Sequence, residues 1–247
     1  MDASQAALLL PSAGPDPLPW DAALAAVLGY ARGRRPLRFR SPSNPDGAWV
    51  QIPAFGYERF DRQPSSDEPL GERDILVAEG LHGRLDPAAW AAMKAVLDDV
   101  APLADAAVDR AVGRPFWELP DDEFSVLAEP GTVGAVLREI RAECDGSGAE
   151  TKHVAAALHH RRPSLFPLLN RTTRWQLLPH VREGDSGVEA VIHRELQANA
   201  AAFQALEDAV EADDLPLTRL RLHDVLLWLT GTLRLAHAVE LGRADRR

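Results

Sequence analysis

The sequence predicts a mainly α protein: a helical body with a small N-terminal β-hairpin or meander. Two observations carry this. From Asp74 almost to the end, apolar residues recur at helical spacing in "DPAAWAAMKAVLDDVAPLADAAVDRAVG", "TVGAVLREIRAEC", "GVEAVIHRELQANAAAFQALEDAVEA" and "LTRLRLHDVLLWLTGTLRLAHAVELG". Between Gly33 and Asp61 the pattern changes to alternation, with Leu37 and Phe39 before, and Trp49, Ile52, Phe55 and Tyr57 after, the turn-forming Asn44-Pro45-Asp46-Gly47.

Each element has local signals. Residues 1–19 are rich in Pro, Ala and Ser and are expected to lack fixed structure. Asp21 is the expected N-cap of a helix to about Ala31. Residues 20–66 are expected to form a small α/β part, with "RQPSSDEPLGER" as a polar linker, and 74–247 a helical domain. "DILVAEGLHG" should stop at Gly83, where glycine can take the left-handed C-cap conformation. Asp86 and Pro87 read as N-cap and first helical residue, and Pro102 should split the helix that follows. "RPFWELPDDEFSVLAEPG" reads as an aromatic connector whose acids, Glu118 and Asp121 to Glu123, form an exposed loop.

The 247 residues suffice for a substantial core. No apolar run approaches the roughly 20 residues of a membrane span, and the acidic start is unlike a signal peptide. With one cysteine, Cys144, no internal disulfide framework or multi-cysteine metal site is expected, and the protein is expected to be cytoplasmic. No cofactor and no metal are expected; His153 and His160 share a helical face seven residues apart, but no carboxylate accompanies them at ligand spacing. A net charge of −10 disfavours broad attraction to polyanions. Ala149 to Arg182 departs from it, with six cations and one acid, Glu150, and four of the eight histidines. Such an island suits a placed anion, or ion pairs with acids elsewhere.

That island begins at "CDGSGAETKHVAAALHHRRPSLFPLLN". Gly146 and Gly148 flank one residue, so the chain can turn with positive φ at either, and a helix then starts near Thr151. Amides at such a helix start can hold a phosphate. Gly146, Gly148, Thr151, Arg161, Arg162, Arg171 and Arg174 are the candidate phosphate-binding residues, and Arg171 and Arg174 share a helix face beside Trp175. Lys152 is a candidate nucleophile or a surface lysine beside Glu150. Asp224, in an apolar helix with His223 and Trp228, is a candidate general base, or pairs with an arginine of the basic island.

Gly146-x-Gly148-x-x-Thr151, the helix after it, the Pro163-x-x-x-Pro167 spacing and the terminal "LRLHDVLLWLTG" together resemble the helix-hairpin-helix DNA glycosylases. The run over roughly Asp74 to Leu229 is most similar to an uncharacterised bacterial family of unknown function that looks like a divergent relative of oxoguanine DNA glycosylase. The resemblance implies a DNA-phosphate grip at the Gly146 turn, a lysine nucleophile after it, and a catalytic Asp after the second proline. Here Glu150 stands at the lysine position, with Lys152 two residues on, and Asn170 near that of the acid. Asn cannot take a proton as a carboxylate does. The expected function is therefore DNA or nucleotide-phosphate binding on a glycosylase-like scaffold without glycosylase chemistry. The alternatives are a non-enzymatic module docking a protein partner through its acidic surface, or an enzyme using Asp224 or Lys152.

Overall fold

The computed structural model describes residues 7–65 and 68–245. Four short strands come early: β1 (Ala7–Leu8), β2 (Leu18–Pro19), β3 (Arg34–Ser41) and β4 (Asn44–Pro53). The helices are α1 (Trp20–Arg32), α2 (Glu58–Asp61), α3 (Glu72–His82), α4 (Pro87–Ala111), α5 (Val133–Cys144), α6 (Thr151–Arg161), α7 (Arg171–Leu177), α8 (Val188–Ala198), α9 (Ala200–Glu211), α10 (Arg219–Gly231) and α11 (Leu235–Asp245). Helix takes up 59% of the chain, and the strands make two separate two-stranded antiparallel sheets, β1–β2 and β3–β4, so the fold is mainly α with a small β part. Among the described residues no helix is long and apolar enough to cross a membrane.

The helix punctuation read from the sequence is largely realised. Asp86 accepts from the amides of Ala88 and Ala89 (2.9 and 2.8 Å), with Pro87 as the first helical residue of α4. Gly83 ends α3 at φ 94°, and Thr132, not singled out from the sequence, caps α5. Pro102 does not split α4, which runs unbroken to Ala111. Val100 and Ala104 on either side of it are buried, and that packing offsets the roughly 3 kcal/mol penalty of an interior proline. At α1 the capping position belongs to Pro19, and Asp21 lies inside the first turn.

The two long C-terminal segments, expected as single helices, are each broken. At Asn199, between α8 and α9, the side chain exchanges hydrogen bonds with the backbone of Leu9 (Leu9 N to Oδ1 2.7 Å, Nδ2 to Leu9 O 2.8 Å). It thus satisfies a strand edge and leaves helical geometry to do so. At Leu233 the backbone turns left-handed (φ 58°) between α10 and α11. The same Asn199 contact corrects the expectation of disorder for residues 7–19. Leu8 and Leu10 are core residues, and Ser12 donates from both its amide and its hydroxyl to the buried Glu195 carboxylate (2.9 and 2.6 Å). Residues 1–6 of that stretch lie outside the described residues.

Helix α1 belongs to the helical body, not to an N-terminal unit. Gly29 faces the backbone of α11 so closely that a Cβ there would lie 1.9 Å from the Ala238 carbonyl oxygen. Gly242 faces the Ala25 carbonyl in the same way. What projects from the body is the β3–β4 ribbon. Its turn is at Pro42-Ser43, two residues before the expected Asn44-Pro45-Asp46-Gly47. Those four residues instead form the start of β4, where the register shifts and Gly47 takes φ 78°.

Candidate functional site

Helix α10 supplies the floor of the site. Arg221, Asp224, Val225 and Trp228 stand at i, i+3, i+4 and i+7, so they share one stripe. Thr218 fixes where α10 starts, accepting from the Arg221 amide and donating to the Pro163 carbonyl (2.9 Å). The stripe lines a cavity of about 220 Å³ whose other walls are Tyr30 of α1, Tyr57 before α2, Leu81 and His82 at the end of α3, Lys152 of α6, and Leu168, Asn170, Arg171 and Thr172 around the start of α7. Tyr57 stands perpendicular to Trp228 at 5.1 Å between ring centroids, so the pocket has an aromatic corner.

Charge is concentrated beneath that corner. Buried Arg221 donates to Asp61 through Nε (2.6 Å), to the Tyr30 hydroxyl through Nη2 (2.6 Å) and to Asp224 through Nη1. Tyr30 in turn donates to Asp61 (2.8 Å). One guanidinium thus serves two carboxylates. Burial pushes Asp224 up to about 6, against the pull of Arg221. The partner foreseen for Asp224 was an arginine of the basic island; Arg221 displaces it because it lies one turn away on the same helix.

Asn170 joins the two halves of the site. Its Oδ1 caps α7, accepting from the amides of Thr172 (2.9 Å) and Thr173 (3.1 Å), which leaves Nδ2 to donate to Asp224 Oδ1 (3.4 Å). An aspartate would cap equally well but would set a second carboxylate against Asp224. The residue type is therefore fixed by its neighbour. His82 supplies an open position: burial, followed by the charge of His153, pulls its pKa down to about 3, and its buried Nε2 has no hydrogen-bond partner.

A second, outer cavity of about 560 Å³ adjoins this one: Lys152, Asn170 and Arg171 line both, and Thr151 and Arg174 line only the second. Lys152 is half-buried and pairs with Glu150 (2.5 Å), which lowers the Glu150 pKa. Arg171 and Arg174 are exposed, and so is Trp175 at 64%.

The candidates therefore divide. Lys152, Asn170 and Asp224 come together in one cavity, with Arg171 at its mouth. Gly146 and Gly148 do take positive φ (84° and 83°) in an exposed turn, but neither lines either of these two cavities. The turn also uses its own amides, Ser147 N on the Cys144 carbonyl and Ala149 N on Ser147 Oγ. Arg161 is buried in an ion pair with Asp74 (2.7 Å), itself fully buried, and Arg162 lies beside it rather than at the site. The acids of the 116–124 connector are not all exposed: Glu123 is buried and accepts from the Val133 amide (3.0 Å), which anchors the start of α5. Tyr30, Tyr57, His82, Arg221 and Trp228 were not singled out as site residues from the sequence. Only the i, i+3, i+4, i+7 spacing in "RLHDVLLW" could have pointed to part of the set.

The chain matches a family described as a family of unknown function, DUF6308, over residues 46–231. Every cavity-lining residue except Tyr30 falls within that span. No curated protein and no solved structure matches the chain.

Proposed function

We propose that this chain, which belongs to the DUF6308 family of unknown function, binds a nucleotide, free or as one unit of a nucleic acid. The base lies in the inner cavity and the phosphate at its mouth. The carrying observation is one cavity that joins an aromatic corner, the unpartnered Nε2 of His82 and the carboxyl of Asp224 with the cations Lys152 and Arg171. A heteroaromatic base presents apolar faces to Tyr57, Trp228, Leu81 and Val225. Its polar edge meets Asp224, which accepts when ionised and donates when protonated, and the neutral Nε2 of His82. Lys152, Arg171 and Arg174 supply the charge for a phosphate in the outer cavity.

On this reading only a binding role is proposed, with no glycosylase chemistry. Helix α5, the Gly146–Gly148 turn and α6 follow one another as helix, tight turn and helix, while the phosphate grip shifts from the turn to the arginines of α7. Calorimetric titration with the four deoxynucleoside monophosphates and their unphosphorylated nucleosides tests it. At least one monophosphate should bind with a sub-millimolar Kd, and Arg171→Ala should weaken it roughly tenfold while leaving the nucleoside unchanged, as expected for one charge-assisted phosphate contact. Absence of binding by all eight compounds at millimolar concentration would overturn the reading.

One observation favours a second reading, an enzyme acting through Asp224. A carboxyl held near pH 6 in a cavity that also contains a lysine fits a general acid or base. Its signature would be consumption of a bound nucleotide or nucleoside, followed by chromatography and absent in Asp224→Asn.

A further inference from the structure

The β3–β4 ribbon is exposed along nearly its whole length. A lone two-stranded ribbon is marginally stable in water, so folding alone does not account for strands of eight and ten residues with bare faces. Its composition is also unlike the rest of the chain. Residues 34–53 hold four arginines, Arg34, Arg35, Arg38 and Arg40, and one acid, Asp46, in a protein of net charge −10. The register sets Arg38 opposite Trp49 and Phe39 opposite Ala48, so cation and aromatic share one face and a second aromatic lies on the other. Trp49 is 70% and Phe39 56% exposed.

The foot of the ribbon leads to the nucleotide cavity. Arg35, Arg59 and Arg73 line a groove of about 770 Å³ between the ribbon and α3, which also includes Phe55 and Gly80. Phe55 packs edge-on against Trp228 (5.9 Å) and stacks with Tyr30 (6.0 Å), both of which line the nucleotide cavity. One residue beyond Gly80, Leu81 and then His82 line that cavity too.

We infer that the ribbon and its groove hold single-stranded nucleic acid, one base of which occupies the cavity; this rests on the nucleotide reading above. Charge complementarity selects the ligand. Guanidinium forks match phosphate oxygens two by two, and the only other charged group lining the groove, Glu58, lies 3.8 Å from Arg34 and keeps one carboxylate oxygen without a hydrogen-bond partner. Phosphates pass over the arginines, and Glu58 is left for a base amino group. The strandedness follows from the aromatics, since exposed Trp49 and Phe39 stack on bases only when these are free of a duplex.

Fluorescence anisotropy of the full chain with a labelled 20-nucleotide oligo-dT tests this. Arg38→Glu combined with Arg40→Glu should weaken oligo-dT binding tenfold or more and make the dependence of log K on log salt shallower by about 1.4, for two lost phosphate contacts. Trp49→Ala alone should weaken it several-fold with the salt slope unchanged. All these residues are exposed, and an unchanged thermal melt confirms that the variants fold. Neither variant should alter the Kd of a deoxynucleoside monophosphate. Oligo-dT affinity equal to wild type in the double variant overturns the inference. So does ribbon-dependent binding to phosphatidylserine vesicles with no binding to oligo-dT. If oligo-dT binding depends on the ribbon but no monophosphate binds, the cavity reading falls and the ribbon assignment stands.

Discussion

Arg221 holds more of this site than any other side chain. It donates to Asp61, Asp224 and Tyr30 from a position 5% exposed, so its removal leaves two carboxylates facing each other without a cation. Arg221→Met should destabilise the fold by about 3–5 kcal/mol, the cost of breaking a buried ion pair from one side, measured by urea unfolding. Asp224 gives a pH test. Its folded pKa is about 6, above the unfolded value near 3.8, so the folded state binds more protons in between. Its contribution is fully present below about pH 4 and is lost as pH rises through 6. The stability of Asp224→Asn relative to wild type should therefore increase from pH 4 to pH 7. A difference that is flat or falls over that range would show that burial does not control the group. Asn170→Asp should keep the α7 cap yet lower stability at pH 7, through repulsion of Asp224.

At the scale of elements, close approach rather than propensity decides the architecture. The α1–α11 contact depends on two glycines, and Gly29→Ala would drive a methyl group into the Ala238 carbonyl. The expected cost is about 3 kcal/mol or more, because backbone atoms on both sides cannot move aside as a flexible side chain would. A thermal melt checks it. Most of the helices were legible from caps and period: Asp86 and Gly83 act through bonds within their own turn. The departures came from partners remote in sequence. Asn199 breaks a helix for Leu9, 190 residues away, and Pro102 is tolerated because of what packs beside it. The ribbon's turn moved to Pro42-Ser43 because a register shift absorbed the stretch expected to form it.

For the whole molecule, the site is an assembly that no single segment announces. Lys152, Asn170 and Asp224 were legible one by one, Lys152 and Asn170 through their places relative to the resemblance and Asp224 as an acid within an apolar helix. Their convergence was not, because it depends on how α6, α7 and α10 meet. Arg161 misled for the same reason: a cation in a basic run looks free until Asp74, 87 residues earlier, is packed against it. The charge pattern was also read too coarsely. Setting the +5 island against an acidic remainder concealed the second cationic stretch, the ribbon. What the molecule presents is a largely acidic body with two positive features, one at the mouth of an aromatic cavity and one leading to it.

If the inner cavity is a nucleotide site, the indole N–H of Trp228 reports on it directly. In a nitrogen-15 spectrum of the full chain titrated with the tightest-binding deoxynucleoside monophosphate, the Trp228 resonance should shift in step with the backbone amides of Asn170, Arg171 and Lys152. The exposed indole of Trp49 should shift far less. Shifts confined to the Gly146–Gly148 turn, or to any face away from Trp228, would contradict the claim.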